Sequence, residues 1–230
     1  MNLQKPVLEA RWLQEAAAAL SVPLEAGQAA TLLTYIAQLQ RWNRSYNLTA
    51  IKDPVQMLVQ HVMDSLALMP TLRRILYKNT VNTGEAPGLR VVDVGSGAGL
   101  PGIVIAALEP RCEVVCVDAV EKKTTFIRQM SGVLSLPNLS AVHARIEALP
   151  PQEATVVVSR AFASLEDFVR WSGRHAAPGG CLLAMKGKVP EDEMAALPGT
   201  GWAVADITDL QVPGLQASRC LIRLCREGSP

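Results

Sequence analysis

The stretch VVDVGSGAGLPG, Val91–Gly102, places four glycines within eight positions directly behind a β-branched run. Glycine loses more conformational freedom on folding than any other residue and offers no side chain to pack, so this concentration needs a reason. A purely structural tight turn needs only one or two glycines. The sequence therefore predicts a strand, then a loop against which a ligand lies closely, and then a helix through the apolar run that follows.

The hydrophobic pattern differs on the two sides of this stretch and divides the chain into two regions. Residues 1–84 are predicted to be helical, because apolar residues recur at helical spacing and Pro54 occupies a favoured first-turn position. Lys78–Gly88 has the composition of a linker. Residues 85–230 alternate short aliphatic strands with helices, which predicts a mostly parallel sheet covered on both faces and closed by an antiparallel pair. The two regions can pack as one structural domain.

Composition and charge restrict the class of protein. The chain has 230 residues, 49% hydrophobic and 19% charged, which is typical of a globular protein with a buried core. Its net charge of +1 gives no whole-molecule signal of nucleic-acid binding, although residues 1–80 carry eight Lys and Arg against five Asp and Glu. No apolar run approaches the ~20 residues of a membrane span, and no signal peptide is recognisable. We therefore expect a soluble cytoplasmic monomer without a membrane partner.

The five cysteines form no C-x-x-C pair and have no histidines at metal spacing, which predicts buried thiols and no metal site.

The glycine loop and the acid that follows it point to a cofactor that contains a nucleoside. Asp118 ends the next predicted strand about twenty residues on, where an acid can accept hydrogen bonds from both ribose hydroxyls. GAGLPG matches the G-x-G-x-x-G fingerprint of dinucleotide-binding proteins, but that pattern alone is weak. Asp93, two residues before Gly95, is not needed by a phosphate-binding turn and suits an ammonium group. S-adenosylmethionine combines adenosine, an ammonium and a carboxylate, so it is the favoured cofactor.

The segment DVGSGAG resembles the first motif of class I methyltransferases. Together with RWNRSYNLTAIKDP and HVMDSL before it, and EKKTTFIRQM, SRAFASL and LAMKG after it, the chain resembles the bacterial family of 16S ribosomal RNA guanine-N7 methyltransferases, also called glucose-inhibited division protein B. The resemblance runs from about Trp42 to Arg226. It implies a class I (Rossmann-like) α/β fold with a mostly parallel seven-stranded sheet, helices on both faces and an N-terminal helical extension. It also implies S-adenosylmethionine as cofactor and 16S ribosomal RNA or the small ribosomal subunit as partner.

The predicted cofactor site combines the loop, the acid and positions implied by the family resemblance. Its members are Asp93, Gly95, Gly97, Gly99, Leu100, Asp118, Ile146, Glu147 and Arg160. Glu147 lies where an adenine edge would be recognised. Lys122 and Lys123, behind Asp118, are expected on a solvated helix face.

Absent motifs restrict the atom that is methylated. Amine methylation commonly uses an N/D-P-P-Y loop after the fourth strand, where this chain has SRAFASL, and cytosine C5 methylation needs a cysteine nucleophile that is missing there. Guanine N7 already presents an in-plane lone pair and loses no proton. Positioning therefore supplies most of the catalysis that this reaction needs. A methyltransferase with another RNA or small-molecule target, or a non-catalytic RNA-binding factor, is the alternative.

The candidate catalytic residues are Arg160, Lys186, His61, Asp64 and Asn47. Arg160 ends the fourth predicted strand and can hold the cofactor carboxylate or an RNA phosphate, or else form a structural ion pair. His61 and Asp64 share a helix face and can help to form the base pocket. Alternatively, Asp64 only orients His61, and Asn47 belongs to a turn or helix cap. Arg219 is a weaker candidate for contacting RNA, and the tryptophans and Tyr35 are expected in the core.

Overall fold

The protein is described from a computed structural model, in which residues 3, 5–77, 88–160, 162 and 164–228 are described. The predicted linker Lys78–Gly88 lies outside these residues except for its last residue. The centre of the structure is one seven-stranded sheet. Its strands are β1 Arg90–Val94, β2 Glu113–Asp118, β3 Leu139–His143, β4 Ala154–Ser159, β5 Ala176–Lys186, β6 Trp202–Asp209 and β7 Cys220–Arg226.

The strand order is β3-β2-β1-β4-β5-β7-β6. Strands β1 to β5 pair in parallel, whereas β7 runs antiparallel to both β5 and β6. Strands β1, β2 and β4 each contain three valines and are buried on both faces, as a parallel sheet covered by helices requires. The predicted sheet and its antiparallel closing pair are confirmed.

Helices cover both faces of the sheet. In the central strands β1, β2, β4 and β5, alternate residues belong to two separate clusters of buried side chains, one on each face. The helices that connect the strands are α6 Gly102–Leu108, α7 Glu121–Val133, α8 Leu165–Ser172 and α9 Glu191–Ala195. Helices α6 and α7 pack on one face, and α8 packs on the other.

The N-terminal region is helical, as predicted, and it packs on the face that carries α6 and α7. Its helices are α1 Ala10–Ala19, α2 Ala26–Tyr46, α3 Pro54–Met57, a π-helical turn Leu58–Met63, α4 Asp64–Ala67 and α5 Met69–Leu76. The buried Tyr35 hydroxyl of α2 donates to the carbonyl of Ala98 in the glycine loop, 3.0 Å away. The N-terminal helices therefore support the loop directly.

Pro54 begins a helical segment, as predicted, and the side chain of Asp53 caps it by accepting from the N–H of Gln56 at 2.8 Å. The segment is not uniformly α-helical, because Leu58–Met63 has π-helical hydrogen bonding. Such π turns are rare and occur frequently at functional sites. This one contains His61.

The loops after β1, β2, β3, β4 and β5 meet at the carboxyl edge of the sheet. Ligands of open α/β sheets bind at this edge. Among the described residues, no helix is both long and apolar enough to cross a membrane.

Candidate functional site

The glycine loop after β1 has the backbone that the sequence predicted. Gly95, Gly97 and Gly99 have φ angles of 68°, 59° and 88°, which residues with side chains rarely adopt. A Cβ on Gly99 would lie 2.5 Å from Cδ1 of Ile103, so this glycine also permits close packing of α6. Of the loop glycines, Gly95 lines a cleft at the carboxyl edge, where main chain and ligand can come into contact.

Asp93 lies beneath this loop, not in the cleft. Its side chain is fully buried, and its Oδ2 accepts from the N–H of Gly102, 2.8 Å away at the start of α6. Burial raises the pKa of Asp93 to about 7, against the lowering effects of the Gly102 hydrogen bond and the Arg160 charge. Its Oδ1 has no hydrogen-bond partner within the described structure. A direct contact between Asp93 and the cofactor ammonium stays a prediction, while the contact with Gly102 explains the acid structurally.

Asp118 ends β2 and lines the cleft. Its Oδ2 accepts from the N–H of Gly97 and its Oδ1 from the N–H of Val120, each at 2.9 Å. The Nζ of Lys123, expected on a solvated face, lies 3.6 Å from Oδ2. A carboxylate offers about four acceptor positions, so Asp118 retains capacity for two ribose hydroxyls.

The cofactor cleft, as we call it, has a volume of about 350 Å³ and is lined mainly by apolar surface. Predicted residues Gly95, Asp118, Ile146 and Glu147 line it. The remaining lining residues are Val94, Val117, Ala119, Ala144, Arg145, Phe162 and Trp171. The other predicted cofactor residues are not among those that line it. Leu100 of the loop is buried, and Arg160 lines a second cavity.

Two aromatic residues of this cleft were not predicted from the sequence. The rings of Phe162 and Trp171 have centroids 5.7 Å apart, and both residues line the cleft. The expectation that every tryptophan is a core residue is wrong for Trp171, which is 38% exposed. Trp171 lies one helical turn beyond the buried Phe168 of α8, on a stripe that continues from the core to the rim of the cleft. The helical spacing of Phe168 and Trp171 predicts that both lie on one face of α8. It does not predict which of them is buried in the core and which lines the cleft.

A second cavity of about 350 Å³, here called the basic cavity, collects the other predicted residues. Four of the five candidate catalytic residues line it, together with Arg219. Its lining is Ile51, Gln60, His61, Asp64, Arg160, Met185, Lys186, Gly187 and Arg219. The two cavities are neighbours, because Arg160 directly follows Ser159, whose hydroxyl donates to the carbonyl of Val94 in the cofactor cleft at 2.8 Å.

Asp64 joins two of the cations of the basic cavity. Its Oδ1 lies 2.9 Å from Nε of Arg219, and its Oδ2 lies 3.4 Å from Nη1 of Arg160, which also donates to the carbonyl of Gln60. Asp64 is only 3% exposed. The structural ion pair weighed for Arg160 therefore exists. The alternative in which Asp64 orients His61 is wrong, because its carboxylate is engaged by the two guanidinium groups.

His61 is held by a residue that the sequence did not single out. Its Nε2 lies 2.9 Å from the hydroxyl of Thr49, and its Nδ1 lies 3.2 Å from the carbonyl of Gln60. A proton on Nδ1 would donate to that carbonyl, so Nε2 would accept from Thr49. Burial, and secondly the charge of Arg160, lower the pKa of His61 to about 4. The imidazole is therefore neutral at pH 7.

Asn47 does not line the basic cavity. It is exposed and forms the C-cap of α2 in the left-handed conformation, with φ 48°, which asparagine tolerates better than most residues. The cap interpretation therefore describes its position, and a catalytic role is not supported. Lys186 does line the cavity, and its Nζ donates to Oε2 of Glu193 at 2.8 Å and to the carbonyl of Phe162 at 3.2 Å.

Among the described residues, the structure contains no group of three His, Cys, Asp or Glu side chains that could hold a metal ion. Cys112, Cys116, Cys181 and Cys220 are buried, as predicted, and Cys225 is half-buried.

The strand order with one antiparallel strand, the glycine loop and the acid that ends β2 define a class I S-adenosylmethionine-dependent methyltransferase. Solved structures have the same fold. A S-adenosylmethionine-dependent methyltransferase from Aquifex aeolicus has a TM-score of 0.55 at 17% identity, over 77% of this chain and 96% of its own. A variant of the 16S rRNA (adenine(1408)-N(1))-methyltransferase from Catenulisporales acidiphilia has a TM-score of 0.51 at 21% identity, over 60% and 85%.

Sequence comparison identifies the family. Residues 28–222 match the GidB family model, described as rRNA small subunit methyltransferase G, and the chain belongs to this family. Curated relatives named ribosomal RNA small subunit methyltransferase G include one from Bordetella petrii, 56% identical over 93% of this chain and 82% of the relative. Another, from Acidovorax sp. (strain JS42), is 50% identical over 92% and 93%.

Proposed function

We propose that the protein transfers a methyl group from S-adenosylmethionine to N7 of a guanine in 16S ribosomal RNA. The observation that carries the choice of atom is the basic cavity, whose described acid–base groups include no available general base. Asp64 is engaged by Arg160 and Arg219, and His61 is too weakly basic, with a pKa of about 4. A ribosomal substrate also implies that the protein acts in the cytoplasm.

The residues of the cofactor cleft fit S-adenosylmethionine. Gly95 presents main chain without a side chain, Asp118 retains acceptor capacity for ribose hydroxyls, and Trp171 offers an aromatic face beside apolar walls. When bound, the cofactor supplies an electrophilic methyl group on a sulfonium sulfur. Glu147, which lines the cleft and whose side chain is 41% exposed, can accept a hydrogen bond from an adenine amino group.

Transfer to N7 needs positioning more than proton transfer. The N7 lone pair lies in the plane of guanine and forms the new N–C bond as the S–C bond breaks, and no proton leaves. Positive charge moves from sulfur to the purine ring, so the net charge of the reacting groups stays constant. The protein's task is alignment, and alignment alone can contribute a large part of the rate.

The cations of the basic cavity supply that alignment. Arg160, Lys186 and Arg219 line it against two partner carboxylates, Asp64 and Glu193, so a phosphate entering the cavity still meets net positive charge. A guanidinium binds phosphate oxygens in pairs, which fixes orientation as well as position. The neutral His61 adds a ring edge beside the apolar Ile51 and Met185, which suits a base rather than a phosphate.

The decisive experiment locates the modified atom. Small ribosomal subunits from a strain that lacks its own member of this family are incubated with the protein and methyl-labelled S-adenosylmethionine. The RNA is then reduced with borohydride and cleaved with aniline, a treatment that cuts at 7-methylguanosine. We expect label in 16S ribosomal RNA and one new cleavage site, both strongly reduced by Arg160→Ala and unaffected by Arg111→Ala, an exposed arginine in the turn before β2.

Labelled RNA that resists aniline would contradict N7 as the target. No incorporation into subunits or free RNA would instead indicate the non-catalytic factor.

A further inference from the structure

The C-terminal half of α2 and the following loop form a surface that the proposed reaction does not use. It consists of Arg41, Trp42, Arg44, Tyr46 and Lys52, and we call it the α2 surface. Arg41 and Arg44 are three residues apart and Trp42 and Tyr46 four apart, so each pair is adjacent on the helix. Arg41, Trp42 and Tyr46 line one shallow cavity beside α2, and Arg44 and Lys52 line another, so the surface wraps around the end of the helix. The three cations and Tyr46 are exposed, and Trp42 is half-buried.

The cations of the α2 surface lack acidic partners. In the part of the chain that the structure describes, none of Arg41, Arg44 and Lys52 forms an ion pair. The nearest acid in sequence, Asp53, uses its Oδ1 to cap α3 at the N–H of Gln56, 2.8 Å away. Exposed cations without partners retain their full attraction for a polyanion.

The aromatic residues form a fixed platform beside these charges. The Trp42 and Tyr46 rings have centroids 5.0 Å apart, and Trp42 also packs edge-on against Phe126 of α7 at 5.5 Å. Phe126 is fully buried, so the platform is anchored in the core. Tyr46 is 46% exposed, although an aromatic ring usually buries most of its surface.

Asn43 connects the α2 surface to the basic cavity. Its Nδ2 donates to the carbonyl of Ile51 at 3.1 Å, and its Oδ1 accepts from the N–H of Thr49 at 2.9 Å. Ile51 lines the basic cavity, and the Thr49 hydroxyl contacts His61 there. One hydrogen-bonded loop therefore has the α2 surface on one side and the cavity on the other.

We propose that the α2 surface binds single-stranded ribosomal RNA adjacent to the target nucleotide. This inference rests on the proposed function. Arg41, Arg44 and Lys52 contact phosphates, and an unpaired base stacks on Tyr46. Positive charge interleaved with an exposed aromatic ring is the combination that binds single strands, since every base has a face that can stack. A protein partner would need neither the phosphate contacts nor the base stacking.

The test measures RNA binding without methyl transfer. An unmodified 16S ribosomal RNA transcript is titrated with the wild type, the Arg41→Ala/Arg44→Ala double variant, Tyr46→Ala and Tyr46→Phe at several salt concentrations. Losing two phosphate contacts should make the slope of log Kobs against log salt shallower by about 1.4–1.8. Tyr46→Ala should weaken binding by roughly 5- to 150-fold, whereas Tyr46→Phe should retain most of the affinity.

Arg111→Ala is the matched control, because it removes an exposed arginine from the opposite edge of the sheet. S-adenosylmethionine binding should be unchanged in every variant, which separates loss of the surface from loss of the fold. A parallel titration uses intact small subunits. The inference is overturned if the double variant has the same slope as Arg111→Ala, or if the variants lose affinity for the subunits but not for the transcript, which would indicate a protein partner. Normal RNA binding without methylation would contradict the proposed function and leave this inference standing.

Discussion

Two aspartates at neighbouring strand ends show how surroundings decide the role of a residue. Asp118 receives two backbone N–H groups and lies 3.6 Å from Lys123 Nζ, and it faces the cofactor cleft. Asp93 receives one N–H group and is fully buried, which raises its pKa to about 7. The first is placed to accept hydrogen bonds from ribose hydroxyls, while the second holds the start of α6 beneath the glycine loop.

The first prediction at this scale concerns Asp118. Replacing it by alanine removes both potential ribose contacts and the acceptor for Gly97, so S-adenosylmethionine binding should weaken by about 1–3 kcal/mol, as measured by calorimetry. Asp118→Asn should lose less binding free energy than Asp118→Ala, because one acceptor oxygen remains. Glu121→Gln, three residues on and exposed, is the control and should bind normally. Equal affinities for all three variants would remove Asp118 from the site.

The second prediction concerns pH. Because the pKa of His61 lies near 4, the imidazole stays neutral throughout the physiological range and gains a proton only in more acidic solution. If N7 is the nucleophile, the single-turnover rate on bound RNA should therefore be flat from about pH 6.5 to 9. A general base would instead make the rate rise with pH until its pKa is passed. A tenfold rise per pH unit that one substitution abolishes would refute the mechanism.

At the scale of elements, the π-helical turn joins the N-terminal helices to the sheet. It ends at Met63, and the next residue, Asp64, reaches Arg160 after β4 and Arg219 before β7. The turn also directs the carbonyl of Gln60 to Arg160. One short segment thereby fixes two cations of the basic cavity.

Loss of the Asp64 carboxylate should accordingly reduce stability and activity more than loss of an exposed ion pair does. Asp64→Ala leaves two half-buried guanidinium groups without their acid, so the free energy of unfolding should fall by about 1–3 kcal/mol and kcat on ribosomal RNA should decrease. Asp64→Asn retains an acceptor and should lose less of both. Asp206→Ala, which breaks the exposed pair with Arg74, is the control and should change stability by less than about 1 kcal/mol. If Asp64→Ala lowers the free energy of unfolding no more than Asp206→Ala does, Asp64 does not hold the two arginines in place.

The sequence predicts what is local and misses what depends on distant packing. The glycine loop, the strands and the placement of Arg160 and Lys186 at strand ends could be predicted, because each rests on a short pattern. The Asp64–Arg219 contact joins residues 155 positions apart, which no local pattern encodes. The Thr49–His61 contact likewise depends on how the loop folds back onto the π turn. For Asn47 the sequence left a cap and a ligand-binding role open, because the two look alike in sequence, and the structure shows the cap.

At the scale of the whole molecule, the N-terminal helices and one face of the sheet share a single core. Trp12 of α1 and Leu183 of β5 belong to the same cluster of buried side chains. The buried Glu109 adds a polar link, because its carboxylate lies 2.6 Å from Nε of Arg73 and accepts from the hydroxyl of Tyr77 at 2.5 Å. The division at residue 84, predicted from the change in hydrophobic pattern, therefore separates two sequence regions that share one core.

A shared core predicts cooperative unfolding of the two regions. Two single-tryptophan variants, one retaining Trp12 in α1 and the other Trp202 on the opposite face of the sheet, report on different parts of the molecule. In urea, the fluorescence transition of each variant should coincide with its own far-UV circular dichroism transition. S-adenosylmethionine at 100 times its Kd should stabilise the protein by about 2.7 kcal/mol and shift the Trp12 transition too, although Trp12 does not line the cofactor cleft. The N-terminal helices would unfold as an independent domain if the Trp12 fluorescence transition came at a lower urea concentration than the circular dichroism transition and did not shift with S-adenosylmethionine.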